Sequence, residues 1–145
     1  MGKIVYLVAV DGSEWSDRAA ERAVSLARKT DAEVDFVTVA QWSKYQPMYV
    51  ADFSAPPLDV SEQEALEREN ILDPLKARYA DSGVKIAYDL YWGHPAEVLK
   101  EQAKVKRANM IFVGRRGRSK VADLLLGSVA NSLAHTSGIP VVLVP

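Results

Sequence analysis

The sequence predicts an α/β domain, a doubly wound five-stranded parallel sheet with helices on both faces. Three observations carry this prediction. Short apolar runs alternate with stretches of helical period in the order β-α-β-α-β-α-β-α-β, the pattern of parallel strands joined by right-handed crossovers. The first run, Ile4 to Val10, is apolar without alternation, as a strand buried on both faces must be. Turn signals fall where runs end, at Asp11-Gly12-Ser13, Gly93-His94-Pro95 and Gly114-Arg115-Arg116-Gly117.

After the first strand, Ser16 to Arg28 places Ala19, Ala20, Ala23, Val24, Leu26 and Ala27 on a 3.6-residue period, the stripe of an amphipathic helix. Val34 to Ala40 reads as the second strand. Gln41 to Asp59 holds three prolines and no helical period, so it is read as a lid or a mobile connection. Ser61-x-x-Glu64 has the form of a capping box for the helix through Ala65, Leu66, Leu72, Leu75 and Tyr79. Pro74 lies inside that helix, and its missing N–H and its ring predict a kink or a break. Val84 to Trp92 is the third strand. The third helix opens with Pro95 at its first position and Glu97 in its first turn, and closes near Lys104, Lys106 and Arg107. Met110 to Val113 is the fourth strand. A final helix reaches about Thr136, where Gly138 and Pro140 stop it, and Val141 to Val144 is the last strand. No repeat or linker interrupts the order, so residues 1–145 are read as one domain.

Composition narrows the function classes. A length of 145 residues suffices for one self-standing core. The net charge of −1 argues against general nucleic-acid binding, which leaves a basic footprint. The chain has no cysteine, which removes disulfides, thiolate zinc sites and thiol catalysis. No apolar run approaches the roughly 20 residues that span a bilayer, so no membrane insertion is expected. Lys3 to Val10 is too short for a signal sequence, and Tyr6 stands where a myristoylation motif needs Ser or Thr. A cytoplasmic location is the expectation.

The most informative segment is Gly114-x2-Gly117-x9-Gly127-Ser128. Gly114 and Gly117 are expected to take left-handed angles and to let the backbone approach a ligand. Successive amides in such a turn form an anion-binding nest. Gly127, Ser128 and Val129 would add amides and a hydroxyl near the start of the last helix. Arg115, Arg116, Arg118 and Lys120 bring positive charge to the same loop. No Gly-Lys-Ser/Thr follows, so this is not a Walker A loop, and a dinucleotide fingerprint would sit after the first strand. A glycine-rich turn with solvated arginines is the plainer alternative. Against it stands Gly127 within the apolar stretch of Val121, Leu124, Leu125, Leu126 and Val129. A glycine inside a helix costs about 1 kcal/mol and asks for a reason.

Asp11, the glycine series and Ile139-Pro140-Val141-Val142-Leu143-Val144 together closely resemble the universal stress protein family, over essentially the whole chain. The resemblance implies the adenine nucleotide alpha-hydrolase-like fold, with strand order 3-2-1-4-5. It also implies bound ATP (or ADP or AMP) in the branch that keeps these glycines, as this chain does. Mg²⁺ or Mn²⁺ held mainly by the phosphates is compatible with such a ligand. That order sets strands one and four side by side, at the reversal where open α/β sheets bind ligands. By resemblance, Asp11 accepts hydrogen bonds from the ribose or adenine side, the backbone near Val39 reads the adenine edge, and Ala9 and Val10 line an apolar slot. The terminal strand becomes an edge, and relatives pair that edge across a two-fold axis, which implies a homodimer.

No catalytic residue and no protein-built metal site is identified. His94 is read as a helix-cap or rim residue and His135 as serving a helix dipole. Trp15, Trp42 and Trp92 either line the mouth of the cleft or pack structurally. The first functional reading is a regulatory or stress-response module that holds ATP without rapid turnover. The second is a slow ATPase, for which Asp123 is the carboxylate nearest the glycine loop. The third is a dimeric interaction module with a vestigial nucleotide site.

Overall fold

The computed structural model describes residues 2–41, 59–118 and 126–145. The elements are β1 (Val5–Ala9), α1 (Glu14–Thr30), β2 (Glu33–Ala40), α2 (Val60–Glu67), a π-helical segment (Arg68–Leu72) and α3 (Asp73–Tyr79). After these come β3 (Ile86–Trp92), α4 (Pro95–Val105), β4 (Met110–Gly114), α5 (Ser128–Thr136) and β5 (Val141–Val144). The five strands form one sheet in the order β3-β2-β1-β4-β5, every pair parallel.

Side-chain alternation along β1 explains its unbroken apolar run. Tyr6 and Val8 point to one face, with Phe36 and Phe112, under α1, the π-helical segment and α3. Leu7 points to the other, with Val37, Ile111 and Val113, under Leu99 of α4 and Leu133 of α5. Both faces are therefore core, and each fully buried side chain of the size of Leu7 or Phe36 contributes about 2 kcal/mol. On α1 the buried positions are mostly alanine, which lets the helix lie close to the sheet. Its N-cap is Ser13, whose Oγ accepts from the Ser16 N–H at 3.2 Å.

Pro74 is accommodated by a local change of helix type. The Asp73 N–H donates to the Arg68 carbonyl five residues back, and Pro74 follows in the first turn of α3, where a missing N–H is tolerated. The capping box is not made. Asp59 takes the N-cap position, Ser61 Oγ donates to Asp59 Oδ2 at 2.8 Å, and Glu64 Oε1 accepts from Trp92 Nε1–H at 2.8 Å. The last helix also starts later than the apolar stretch suggested. Gly127 is its N-cap rather than an interior residue, so the helix-cost argument for this glycine does not apply. Residues 42–58 and 119–125, which include Trp42, Lys120, Val121, Asp123 and most of the Gln41–Asp59 connection, lie outside the described residues.

Candidate functional site

The sheet reverses direction between β1 and β4, and a cleft of about 240 Å³ opens beyond their carboxyl ends. Its wall is apolar along Ala9, Val37, Val39, Leu99 and Val113, and its other end is polar at Asp11, Arg116, Gly117, Arg118 and Ser128. An apolar wall with a few placed polar groups is the ordinary make-up of a small-molecule site.

Strand parity opens a backbone edge at Val39. In β2 the even residues bond to the β3 side, as when Val34 N–H donates to Lys85 and Ala40 C=O accepts from Gly93 N–H. The odd residues bond to β1, as when Glu33 N–H donates to Ile4 and Val37 C=O accepts from Val10 N–H at 3.0 Å. Val39 is the next odd residue, so its N–H and C=O face the side on which β1 has already ended. It presents a donor and an acceptor to the cleft.

The loop after β1 is tightly fixed. Asp11 Oδ1 accepts from the Ser13 N–H at 2.9 Å, Gly12 takes φ 82°, and the Asp11 N–H donates to Ser16 Oγ at 3.3 Å. Asp11 Oδ2 accepts from the Arg118 N–H at 3.2 Å and so ties this loop to the one after β4. That second loop is closed by its own backbone. The Arg115 N–H donates to Val144 C=O at 2.7 Å, and Arg115 C=O accepts from the Gly127 N–H at 2.8 Å.

Gly114 and Gly117 are required for space and not for a left-handed backbone angle, whereas a Cβ at Gly127 would meet its neighbours at ordinary contact distance. Positive φ among the described glycines occurs at Gly12, Gly83 and Gly93, whereas Gly114, Gly117 and Gly127 take angles open to any residue. The expectation of left-handed angles at Gly114 and Gly117 is therefore corrected. A Cβ on Gly114 would lie 2.7 Å from Trp15 Cβ and 2.8 Å from the Trp15 carbonyl carbon, because the first turn of α1 presses against the end of β4. A Cβ on Gly117 would lie 2.7 Å from Asp11 Oδ2. A Cβ on Gly127 would lie 3.4 Å from Arg116 Cα and Gly117 N.

The start of α5 faces the cleft. Its first helical bond is from Asn131 N–H to Gly127 C=O, which leaves the first-turn amides of Ser128, Val129 and Ala130 without an intrahelical acceptor. All three residues line the cleft. With the helix dipole, those amides favour an anion.

The sequence-selected residues Ala9, Val10, Asp11, Val39, Gly114, Arg116, Gly117, Arg118, Gly127, Ser128 and Val129 all line this cleft. Arg115 does not: it is exposed, and its backbone closes the loop. Val37 and Leu99 were missed although both had a signal, Val37 by sharing the face of Val39 and Leu99 by lying one helical turn beyond Pro95. Neither Trp15 nor Trp92 lines the cleft. Trp15 backs Gly114 and carries the Arg18 guanidinium 6.0 Å from its ring centre, while Trp92 is bonded to Glu64. His94 is the N-cap of α4 through its carbonyl, which accepts from Val98 N–H at 2.9 Å; its side chain makes no cap bond. His135 lies in the last turn of α5.

A charged cluster lies on the cleft side of the sheet, nearer the other end of the strands. Lys106, just past α4, donates to both Asp35 of β2 and Asp89 of β3, and its ammonium lies 5.4 Å from the centre of the Tyr91 ring. Burial pushes the Asp35 carboxyl up to about 6 against the pull of Lys106. Burial also acts to lower Lys106, but its bonds to the two carboxylates outweigh this and raise it. Asp89 is pushed up by burial, yet it ends below the usual range because Lys106 holds its charged form.

Among the described residues no group of three His, Asp or Glu side chains could hold a metal ion, and no helix is long and apolar enough to cross a membrane.

The profile of the universal stress protein family matches residues 5–145. The universal stress protein YxiE of Bacillus subtilis is 30% identical over 95% of this chain and 96% of its own length. Universal stress protein MJ0531 of Methanocaldococcus jannaschii is 31% identical over 95% of this chain and 79% of its own. A crystal structure of a universal stress protein in complex with cAMP is 26% identical, has a TM-score of 0.71, and is covered over 99% of its chain by 100% of this one. The strand order, the cleft at its reversal and these matches agree: the chain belongs to the universal stress protein family.

Proposed function

We propose that the cleft binds an adenine nucleotide, ATP in the first instance, and that the protein is a regulatory stress-response module that holds it without rapid turnover. The observation that carries this reading is the pairing of two chemistries across one cleft. Val39 offers a donor and an acceptor beside an apolar slot, which suits the edge of a flat base. The first-turn amides of α5, with Arg116 and Arg118, suit phosphate at the other end. The cAMP complex of a relative supports the choice of adenine. In this reading Asp11 faces the ribose, and any divalent cation is held by the phosphates.

The test is to denature the purified protein and separate what it releases by chromatography, then to titrate the stripped protein with ATP, ADP and AMP in a calorimeter. Release of an adenine nucleotide, or saturable binding of one, supports the reading. Binding of none of the three overturns it.

We also propose a homodimer through β5. Among the described residues this strand pairs with β4 on one side only, and Leu143 is 36% exposed. An apolar open edge invites a second strand.

A further inference from the structure

We propose that the Asp11 carboxylate is the resident anion of the glycine loop, and that it sets how many phosphates the cleft accepts. The inference takes its ligand from the nucleotide reading above, but its structural basis is independent of that reading.

The amides after β4 are those that a phosphate would be expected to occupy. One of them is already taken: the Arg118 N–H donates to Asp11 Oδ2 at 3.2 Å. The carboxylate is seated against the loop so closely that a Gly117 Cβ would lie 2.7 Å from the same oxygen. Its orientation is fixed from behind by the Ser13 N–H, which donates to Oδ1 at 2.9 Å, and the backbone that carries it is held by the Asp11 N–H donating to Ser16 Oγ at 3.3 Å. A side chain held in this way does not swing freely aside when a ligand arrives.

Two consequences follow. The carboxylate gives the loop an anion when no nucleotide is bound, which keeps Gly117 and Arg118 in place. It also opposes each phosphate charge brought to that end of the cleft, and the opposition is strong where water is partly excluded. Arg116 and Arg118 attract the same phosphates. The balance therefore favours nucleotides of low charge, or a triphosphate whose charge is reduced by a bound divalent cation.

The experiment compares adenosine, AMP and ATP, with divalent cations chelated, on the intact protein and on Asp11→Asn. Asparagine removes the charge and keeps an oxygen for one of the two amides, its NH2 group replacing the oxygen that met the other, and Asp11→Ser serves as a second variant. Any lost ribose contact affects all three ligands alike, so the ratio of ATP to adenosine affinity isolates the charge. That ratio is expected to rise on the order of tenfold in Asp11→Asn. An unchanged or lower ratio overturns the proposal. If neither protein binds any adenine compound, the nucleotide reading fails by itself. The resident anion is then read from inorganic pyrophosphate, followed through the Gly117 and Arg118 amide resonances. Tighter saturation in Asp11→Asn than in the intact protein supports it, and equal or absent shifts in both overturn it.

Discussion

Asp11 and Arg118, 107 residues apart, are joined by one hydrogen bond from the Arg118 N–H to Asp11 Oδ2, and that bond couples the two loops at the sheet reversal. Because Gly117 lies under the same oxygen, the carboxylate and the glycine form one unit. A methyl group at Gly117 must displace the carboxylate or move the loop. Gly117→Ala is expected to lower nucleotide affinity on the order of tenfold while costing less than about 1 kcal/mol of stability, since the site is at the surface. Calorimetry and thermal unfolding check the two halves separately.

Gly114→Ala behaves differently. Its added Cβ meets the backbone carbon of Trp15 at 2.8 Å, and backbone cannot rotate away. The expected loss is about 2 kcal/mol of folding stability, typical of overpacking, seen as a lower Tm before any ligand is added.

The Lys106 cluster predicts a pH dependence of definite sign. The folded-state pKa of Asp35 is about 6, above its ordinary value of 3.8, so the folded state binds this proton more readily than the unfolded chain. Its contribution to stability is fully present below about pH 4 and is lost as pH rises through about 6. Asp89, held below its ordinary range, contributes with the opposite sign in more acid solution. Lys106→Met leaves two carboxylates facing each other without their cation. It is expected to cost about 3 kcal/mol at pH 7 and to recover part of this at pH 5, where a carboxyl can take the proton. Urea unfolding at the two pH values measures both, and a deficit that grows on acidification would contradict the account.

Strand parity also supplies a test of the dimer. Ile111 N–H donates to Pro140 C=O and Arg115 N–H to Val144 C=O, so the even residues of β5 face β4 and the odd ones face outward. Leu143→Pro removes an outward N–H and leaves the β4 ladder intact, as an edge strand permits. Light scattering at micromolar concentration should then report a dimer for the intact chain and a monomer for the variant.

Much of this was legible in the chain because the deciding signals are local. Ile4 to Val10 and Met110 to Val113 are uniformly apolar since both faces of the sheet are covered, and the turns at Asp11 and Gly114 mark the carboxyl ends that meet at the reversal. What was not legible depends on approach from elsewhere. The reason for Gly114 is Trp15 and that for Gly117 is Asp11, neither of them near in sequence. The capping motif at Ser61 failed because Glu64 has a stronger claim from Trp92 on β3. The Asp35 cluster had a signal that went unread: a carboxylate in the middle of a buried strand, 4% exposed, demands a partner.

The central claim is that one adenine nucleotide bridges Val39 and the start of α5. Its most direct test is an amide-resonance titration of the intact, nucleotide-stripped protein with ATP. The account predicts saturable shifts concentrated at Val39, Gly117, Arg118, Ser128 and Val129. A saturable response confined to other parts of the chain, or no response at any of these amides, would contradict it.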